Sequence, residues 1–248
     1  MVIAANRDEF LDRPSEGPAL RTTPYGVIVA PRDARAGGTW FGLNGTGVFA
    51  AVTNRRCAEP DPGCRSRGLL VIDALRWPTA DAAVEKLEIE SLEPAAYNPF
   101  NLFVADRKSS FLVTYDSAPR RIDLSPGAHV IGNIDPTAPR TPKLEALDRE
   151  AERAARAGAD RVLDELALIC RGHGGGGSVL DDTCVHAGAY GTRSSALLRL
   201  GETDDDGVFR FADGAPCRTE YDDFTPLLHD LKRESGTVEG TTATRKVS

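Results

Sequence analysis

The chain has 248 residues, 30 Lys and Arg against 37 Asp and Glu, and a formal net charge of −7 at pH 7. A hydrophobic fraction of 41% beside 27% charged residues excludes a disordered or fibrous chain, and the acidic balance disfavours nucleic acid or an anionic membrane surface as the partner. No apolar run approaches the roughly 18 residues of a membrane span, so no integral membrane association is expected. Five cysteines (Cys57, Cys64, Cys170, Cys184, Cys217) are an odd number, and residues 1–5 carry no basic, extended apolar leader. Reduced thiols in a soluble cytoplasmic protein are therefore expected.

Residues 2–5 are apolar and read as the second half of a buried strand, with a polar turn predicted over 6–14. A strand is predicted at 26–30. Segments 39–43 and 48–53 flank Asn44-Gly45, a tight-turn signal for a β-hairpin. Helices follow at 68–76 and 80–87, then strands at 101–105, 111–115 and 129–131. Leu144, Leu147, Ala151, Ala154 and Ala155 recur at helical spacing over 141–157, and Val162, Leu163, Leu166 and Ile169 mark a second helix over 160–170. The glycine run 172–177 breaks the chain. A late hairpin is predicted from 194–200 and 208–211 around an acidic turn at 204–207. Strands followed by helices, twice over, predict an α+β layered domain and not alternating βαβ units. One domain over 1–233 is expected, with 234–248 a polar, frayed tail.

Several polar constellations offer chemistry, each with a plainer alternative. In Asn6-Arg7-Asp8-Glu9, Arg7 can fix a substrate carboxylate with Asp8 holding it, or the four residues can simply form a solvated turn. Gly37-Gly38-Thr39-Trp40-Phe41-Gly42 lets a ligand or another backbone approach closely, with Trp40 flooring a pocket or filling core. Asn54 and Asn133, expected at strand ends, can donate to an oxyanion or cap turns. Arg193 at a strand entry can clamp an anionic group, aided by the hydroxyls of Thr192 and Ser195, or form a structural ion pair. Cys184-Val185-His186 supplies two metal donors where a fixed zinc site needs four, so no metal site is expected. His173-Gly174-Gly175-Gly176 lacks the Gly-x-Ser-x-Gly partner of a lipase oxyanion loop, and no P-loop or dinucleotide fingerprint occurs.

Taken together, Val2-Ile3-Ala4-Ala5-Asn6-Arg7-Asp8-Glu9-Phe10 with Arg13-Pro14, the Gly37–Gly42 segment, Ala50-Ala51-Val52-Thr53-Asn54, Ser66-Arg67-Gly68, Asn101-Leu102 and Tyr190-Gly191-Thr192-Arg193-Ser194 resemble the NRDE family, also called the transport and Golgi organisation protein 2 family. The resemblance runs from residue 1 to about 200 and implies an N-terminal nucleophile hydrolase-like fold, a four-layer αββα sandwich. It also implies supporting roles around the nucleophile for Arg7 and Asp8, an oxyanion role for Asn54 and Asn133, and an orienting role for Arg193. Asn6, Trp40 and Thr192 would contact the ligand. In that pattern a mature N-terminal cysteine attacks an amide and its own α-amine acts as base. This chain begins Met1-Val2 inside the first strand, so a truncated β-strand and a start assigned too far downstream are expected, with the nucleophile missing.

Two functions follow from the resemblance. One is binding or trafficking of a small molecule in the cytoplasm, haem or an acyl/lipid-type ligand, with no cofactor required and haem entering only as cargo. His186, His129 and Cys184 are the candidate axial ligands. The alternative is an amidohydrolase acting on a non-peptide C–N bond, which requires an upstream N-terminal cysteine.

Overall fold

A computed structural model describes residues 1–57, 59–90, 96–173, 177–201 and 206–241. The centre of the expected glycine break, the first half of the acidic turn and the last seven residues of the tail lie outside the described residues. Along the chain run β1 (Val2–Phe10), β2 (Ser15–Thr23), β3 (Gly26–Asp33), β4 (Phe41–Asn44), β5 (Phe49–Asn54), α1 (Arg67–Ala74), α2 (Ala80–Glu90), β6 (Phe100–Ala105), β7 (Ser110–Tyr115) and β8 (Pro119–Asp123). There follow α3 (Pro142–Ala155), α4 (Val162–Cys170), β9 (His186–Ala187), β10 (Tyr190–Arg199), β11 (Val208–Ala212), β12 (Asp222–Asp223) and α5 (Pro226–Thr241). Where one domain over 1–233 is expected, the chain forms two compact units interleaved in sequence. The first joins Met1–Pro14 to Ser125–Thr225, and the second joins Ser15–Leu124 to Pro226–Ser248.

In the second unit, β2 to β8 form a seven-stranded antiparallel sheet in sequence order. Leu70, Val71 and Ala74 of α1 and Ala83 and Val84 of α2 pack with Ile28, Ala30, Ala50, Leu102, Val104 and Val113 of the sheet. The alternate residues Val29, Phe49 and Leu112 are buried as well. Strands buried on both faces read as short unbroken apolar runs, which is why β3, β6 and β7 are visible in the sequence. The two strands that the sequence does not reveal, β2 and β8, are the sheet's edges. They carry Glu16, Arg21, Arg120, Arg121 and Asp123, the charge that protects an edge from further pairing. Helix α5 of the same unit continues past the expected boundary at 233 to Thr241, anchored by buried Leu228 and Leu231, with Ser235 Oγ donating to Leu231 O.

Two contacts set the local geometry of this unit. A Cβ on Gly38 would lie 2.4 Å from the carbonyl carbon of Gly68, so the Gly37-Gly38-Thr39 turn runs directly against the backbone of α1's first turn. Thr39 N donates to Gly68 O at 3.1 Å across that approach, and Ser66 Oγ caps the helix by accepting from Gly68 N. At the predicted hairpin, the buried Asn44 side chain donates to Leu75 O and Trp77 O, both at 2.9 Å, and its Oδ1 accepts from Val48 N at 2.9 Å. It thereby joins the turn to the end of α1.

In the first unit, β1, β10, β11 and β12 form an antiparallel sheet, with β9 also paired to β10. Thr141 caps α3 and Pro142 opens it. Val162, Leu163, Ala167 and Cys170 of α4 pack on Leu197 and Ala4. The expected turn at 6–14 is a strand as far as Phe10. The polar residues stay in the ladder because hydroxyl residues oppose them: Asn6 faces Ser195, Arg7 faces Ser194 and Asp8 faces Thr192. The strand expected at 129–131 is coil, since three residues find no partner strand there; His129 Nε2 instead lies 2.7 Å from Ser125 O. Among the described residues no helix is long and apolar enough to cross a membrane.

Replacing Asn44 with Ala removes the side-chain partner of two carbonyls (Leu75 and Trp77), two amides (Thr46 and Val48) and the Thr46 hydroxyl. The expected loss is about 2–4 kcal/mol of unfolding free energy, measured by urea denaturation, with Asn44→Asp recovering only the acceptor half.

Candidate functional site

The pairing of β1 with β10 is regular from Val2↔Arg199 to Arg7↔Ser194 and resumes at Asp8↔Thr192. Arg193 is therefore an extra residue on β10, a β-bulge. Such an insertion bends the strand and re-aims a side chain, and it is common beside functional sites. The bulge falls within the Asn6-Arg7-Asp8 and Thr192-Arg193-Ser194 segments singled out in the sequence.

Each polar side chain here has a defined place. Thr192 Oγ1 donates to Asp8 Oδ1 at 2.6 Å and accepts from Val185 N at 2.8 Å, so Thr192 orients Asp8. Both amide hydrogens of Asn6 are taken, by Cys170 O and Thr183 O at 2.9 Å each, tying β1 to the end of α4. Arg7 is buried. Arg193 Nε is buried with no hydrogen-bond partner among the described residues, and so is Ser194 Oγ. Ser195 Oγ pairs instead with Tyr221 Oη at 2.7 Å. Burial raises the Asp8 carboxyl above its ordinary 3.8, outweighing the Thr192 hydrogen bond and the nearby Lys143 ammonium, which pull it down.

The remaining expected residues lie elsewhere. Asn133 is exposed on the connection between β8 and α3 and not at a strand end. Asn54 and Trp40 belong to the second unit. Asn54 is the exposed last residue of β5, and Trp40 is half-buried, edge-on to Phe41. A cavity of about 380 Å³ in that unit is lined by Arg21, Arg32, Gly38 and Thr39 among others and contains neither of them. A group that the sequence does not assemble is His173, Cys184, His186 and Cys217, whose ligand atoms all lie within 4.8 Å of one another. Cys184 and His186, two positions apart, are its only trace legible in the sequence.

The geometry can be set beside known proteins. A family model described as Transport and Golgi organisation 2 matches residues 1–209. The cattle Transport and Golgi organization protein 2 homolog is 26% identical over 263 aligned residues, spanning 95% of this chain and 93% of its own. The mouse homolog is 33% identical over 141 residues, 54% of this chain and 50% of its own. Among solved structures, the chain is similar to a Caenorhabditis elegans N-acylethanolamine-hydrolyzing acid amidase ortholog, with TM-score 0.52, 12% identity and coverage of 88% and 92% of the two chains. It is also similar to a mutant of the conjugated bile acid hydrolase from Clostridium perfringens, with TM-score 0.51, 10% identity and coverage of 93% and 90%. At these identities the likeness is one of fold, and that fold is of the N-terminal nucleophile hydrolase type.

Because the fold raises the Asp8 carboxyl, its contribution to stability is greatest below 3.8 and declines as pH rises through its folded pKa. Asp8→Asn keeps an acceptor for Thr192 and removes the buried charge. It is expected to match or exceed the parent chain in urea unfolding at neutral pH, with the advantage vanishing near about pH 4. Asp8→Ala, which leaves the Thr192 hydroxyl without its acceptor, is expected to lose about 1–2 kcal/mol.

Proposed function

We propose that this chain, which belongs to the Transport and Golgi organisation 2 family, binds and hands on a small anionic molecule of haem or acyl/lipid type at the β1–β10 bulge, in the cytoplasm. The observation that carries this is the buried, unpartnered Nε of Arg193 at the bulge. A desolvated guanidinium N–H without an acceptor is costly, and a carboxylate or phosphate oxygen is the partner its geometry suits. Arg7 in the facing strand and Lys143 near Asp8 add positive charge beside a carboxyl whose ionisation burial disfavours. The local field therefore favours an anion.

Haem and acyl ligands share what such a site reads, an apolar body bearing an anionic group. Recognition through that group needs no axial ligand from the protein, and haem is cargo here, not a resident cofactor. Free thiols on all five cysteines support a reducing compartment.

Amide hydrolysis at a C–N bond other than a peptide is the second reading, favoured by the fold shared with an N-acylethanolamine-hydrolyzing acid amidase and a conjugated bile acid hydrolase. In it Asp8, Arg7 and Arg193 support an N-terminal cysteine placed ahead of β1.

Titration of the purified protein with haemin, and in parallel with a fatty acyl thioester of coenzyme A, is expected to show saturable binding of at least one of them. Arg193→Ala should weaken it about tenfold or more, the worth of one charge-assisted hydrogen bond, with Arg193→Lys intermediate. Linear, unsaturable uptake of both ligands, or an unchanged affinity in Arg193→Ala, would refute carriage at this site. For the second reading, a chain extended upstream to an N-terminal cysteine should give an acylation burst with an activated amide, lost when that cysteine becomes alanine.

A further inference from the structure

We propose that His173, Cys184, His186 and Cys217 form a four-ligand site for a zinc-class divalent cation, and that the bound ion braces the segment to which the polar side chains of β1 are tied. The inference is independent of the ligand proposed above. It rests on the spacing of the donor atoms. Cys184 Sγ and Cys217 Sγ are 3.5 Å apart, Cys184 Sγ and His186 Nε2 3.8 Å, and His186 Nε2 and Cys217 Sγ 3.1 Å. A tetrahedral zinc with Zn–S near 2.3 Å and Zn–N near 2.0–2.1 Å sets edges of about 3.8 Å between sulfurs and about 3.6 Å between sulfur and nitrogen. Three observed edges thus fall within about half an ångström of the tetrahedral ones.

His173 completes the set, with its ring stacked on that of His186 at a centroid separation of 5.3 Å and all four ligand atoms within 4.8 Å of one another. Its Nδ1 lies 3.7 Å from Asp182 Oδ2, beyond hydrogen-bond distance but near enough for the carboxylate to close on a metal-bound imidazole. The cysteines are not a disulfide: 3.5 Å is far beyond the S–S bond length of about 2.05 Å.

The donor set selects the ion. Two thiolates and two neutral imidazoles suit zinc, and four protein ligands leave no open position, so the site is structural and not catalytic. Each thiol releases its proton on ligation, and two thiolates cancel the 2+ charge, which makes burial of the ion around the fully buried Cys184 electrostatically cheap.

The ligands come from three separate stretches: just beyond α4, at β9, and between β11 and β12. What the ion would hold is specific. Val185, between two ligands, donates its N–H to Thr192, which orients Asp8; Thr183, next to Cys184, accepts from Asn6. A metal at this point fixes both ties of β1.

The test is elemental analysis of the full chain purified without chelators, followed by exchange into Co²⁺. One zinc per chain is expected, and the cobalt form should show tetrahedral d–d bands with thiolate charge transfer. Cys217→Ser should lower cobalt affinity at least about a hundredfold and Asp182→Asn about tenfold or more. Stripping the metal should speed amide exchange at Val185, reversibly on adding zinc. Absence of stoichiometric metal together with a cobalt spectrum lacking sulfur charge transfer overturns the proposal, as does unchanged affinity in the cysteine variant. So does a native mass two hydrogens light with no metal, which would make the pair a disulfide. If Cys217→Ser does not fold, the wild-type cobalt spectrum and Asp182→Asn decide the question.

Discussion

The first unit depends on one pairing, that of β1 with β10. Its partners, from Val2↔Arg199 to Phe10↔Tyr190, lie at opposite ends of the unit's sequence, with the whole sheet of the second unit inserted between them in the chain. Such a ladder closes a long loop before any hydrogen bond returns the entropy lost, so it forms only if the strands also bury apolar surface. Ala4 and Leu197 do this against α4. The polar half of β1 then enters a ladder it would not have sought alone.

That polar half explains how a run reading as a solvated turn becomes a strand at a candidate site. Hydroxyl residues of β10 face it, and side-chain bonds from Asn6 to Cys170 O and Thr183 O and from Thr192 to Asp8 supply partners that water would otherwise give. The exceptions are informative. Arg193 enters where the ladder skips a residue, and its Nε, like the neighbouring Ser194 Oγ, is buried without a hydrogen-bond partner among the described residues. A bulge that disturbs pairing and orphans a cationic donor carries two local costs, a pattern expected where a ligand completes the bonding.

In the second unit the same motif logic has a different outcome. Gly37-Gly38-Thr39-Trp40 suggests a ligand cradle, yet Gly38 is required by the backbone of α1 and Thr39 bonds to Gly68. Two sequence segments far apart, one glycine-rich and one Ser-Arg-Gly, are thus a single packing contact. Asn44 likewise serves the hairpin and the end of α1 at once. These contacts position the sheet.

The sequence by itself determined the class of fold, the central strands, four of the five helices among the described residues and the family, because buried strands and amphipathic helices leave periodic apolar signals and the NRDE and GGTW runs are long. It determined Arg7, Asp8, Thr192 and Arg193 as residues of interest, through those same runs and the Tyr190–Ser194 segment. It did not reveal β2 and β8, since edge strands carry charge, or α5, whose apolar anchors are two leucines. Only the tertiary structure decided that 6–10 is strand, that Arg193 is bulged, and that His173, Cys184, His186 and Cys217 share one small volume. Each of these depends on which distant segments meet, and local composition carries no information about that: two residues at i and i+2 look the same whether or not a cysteine about thirty positions on folds back beside them.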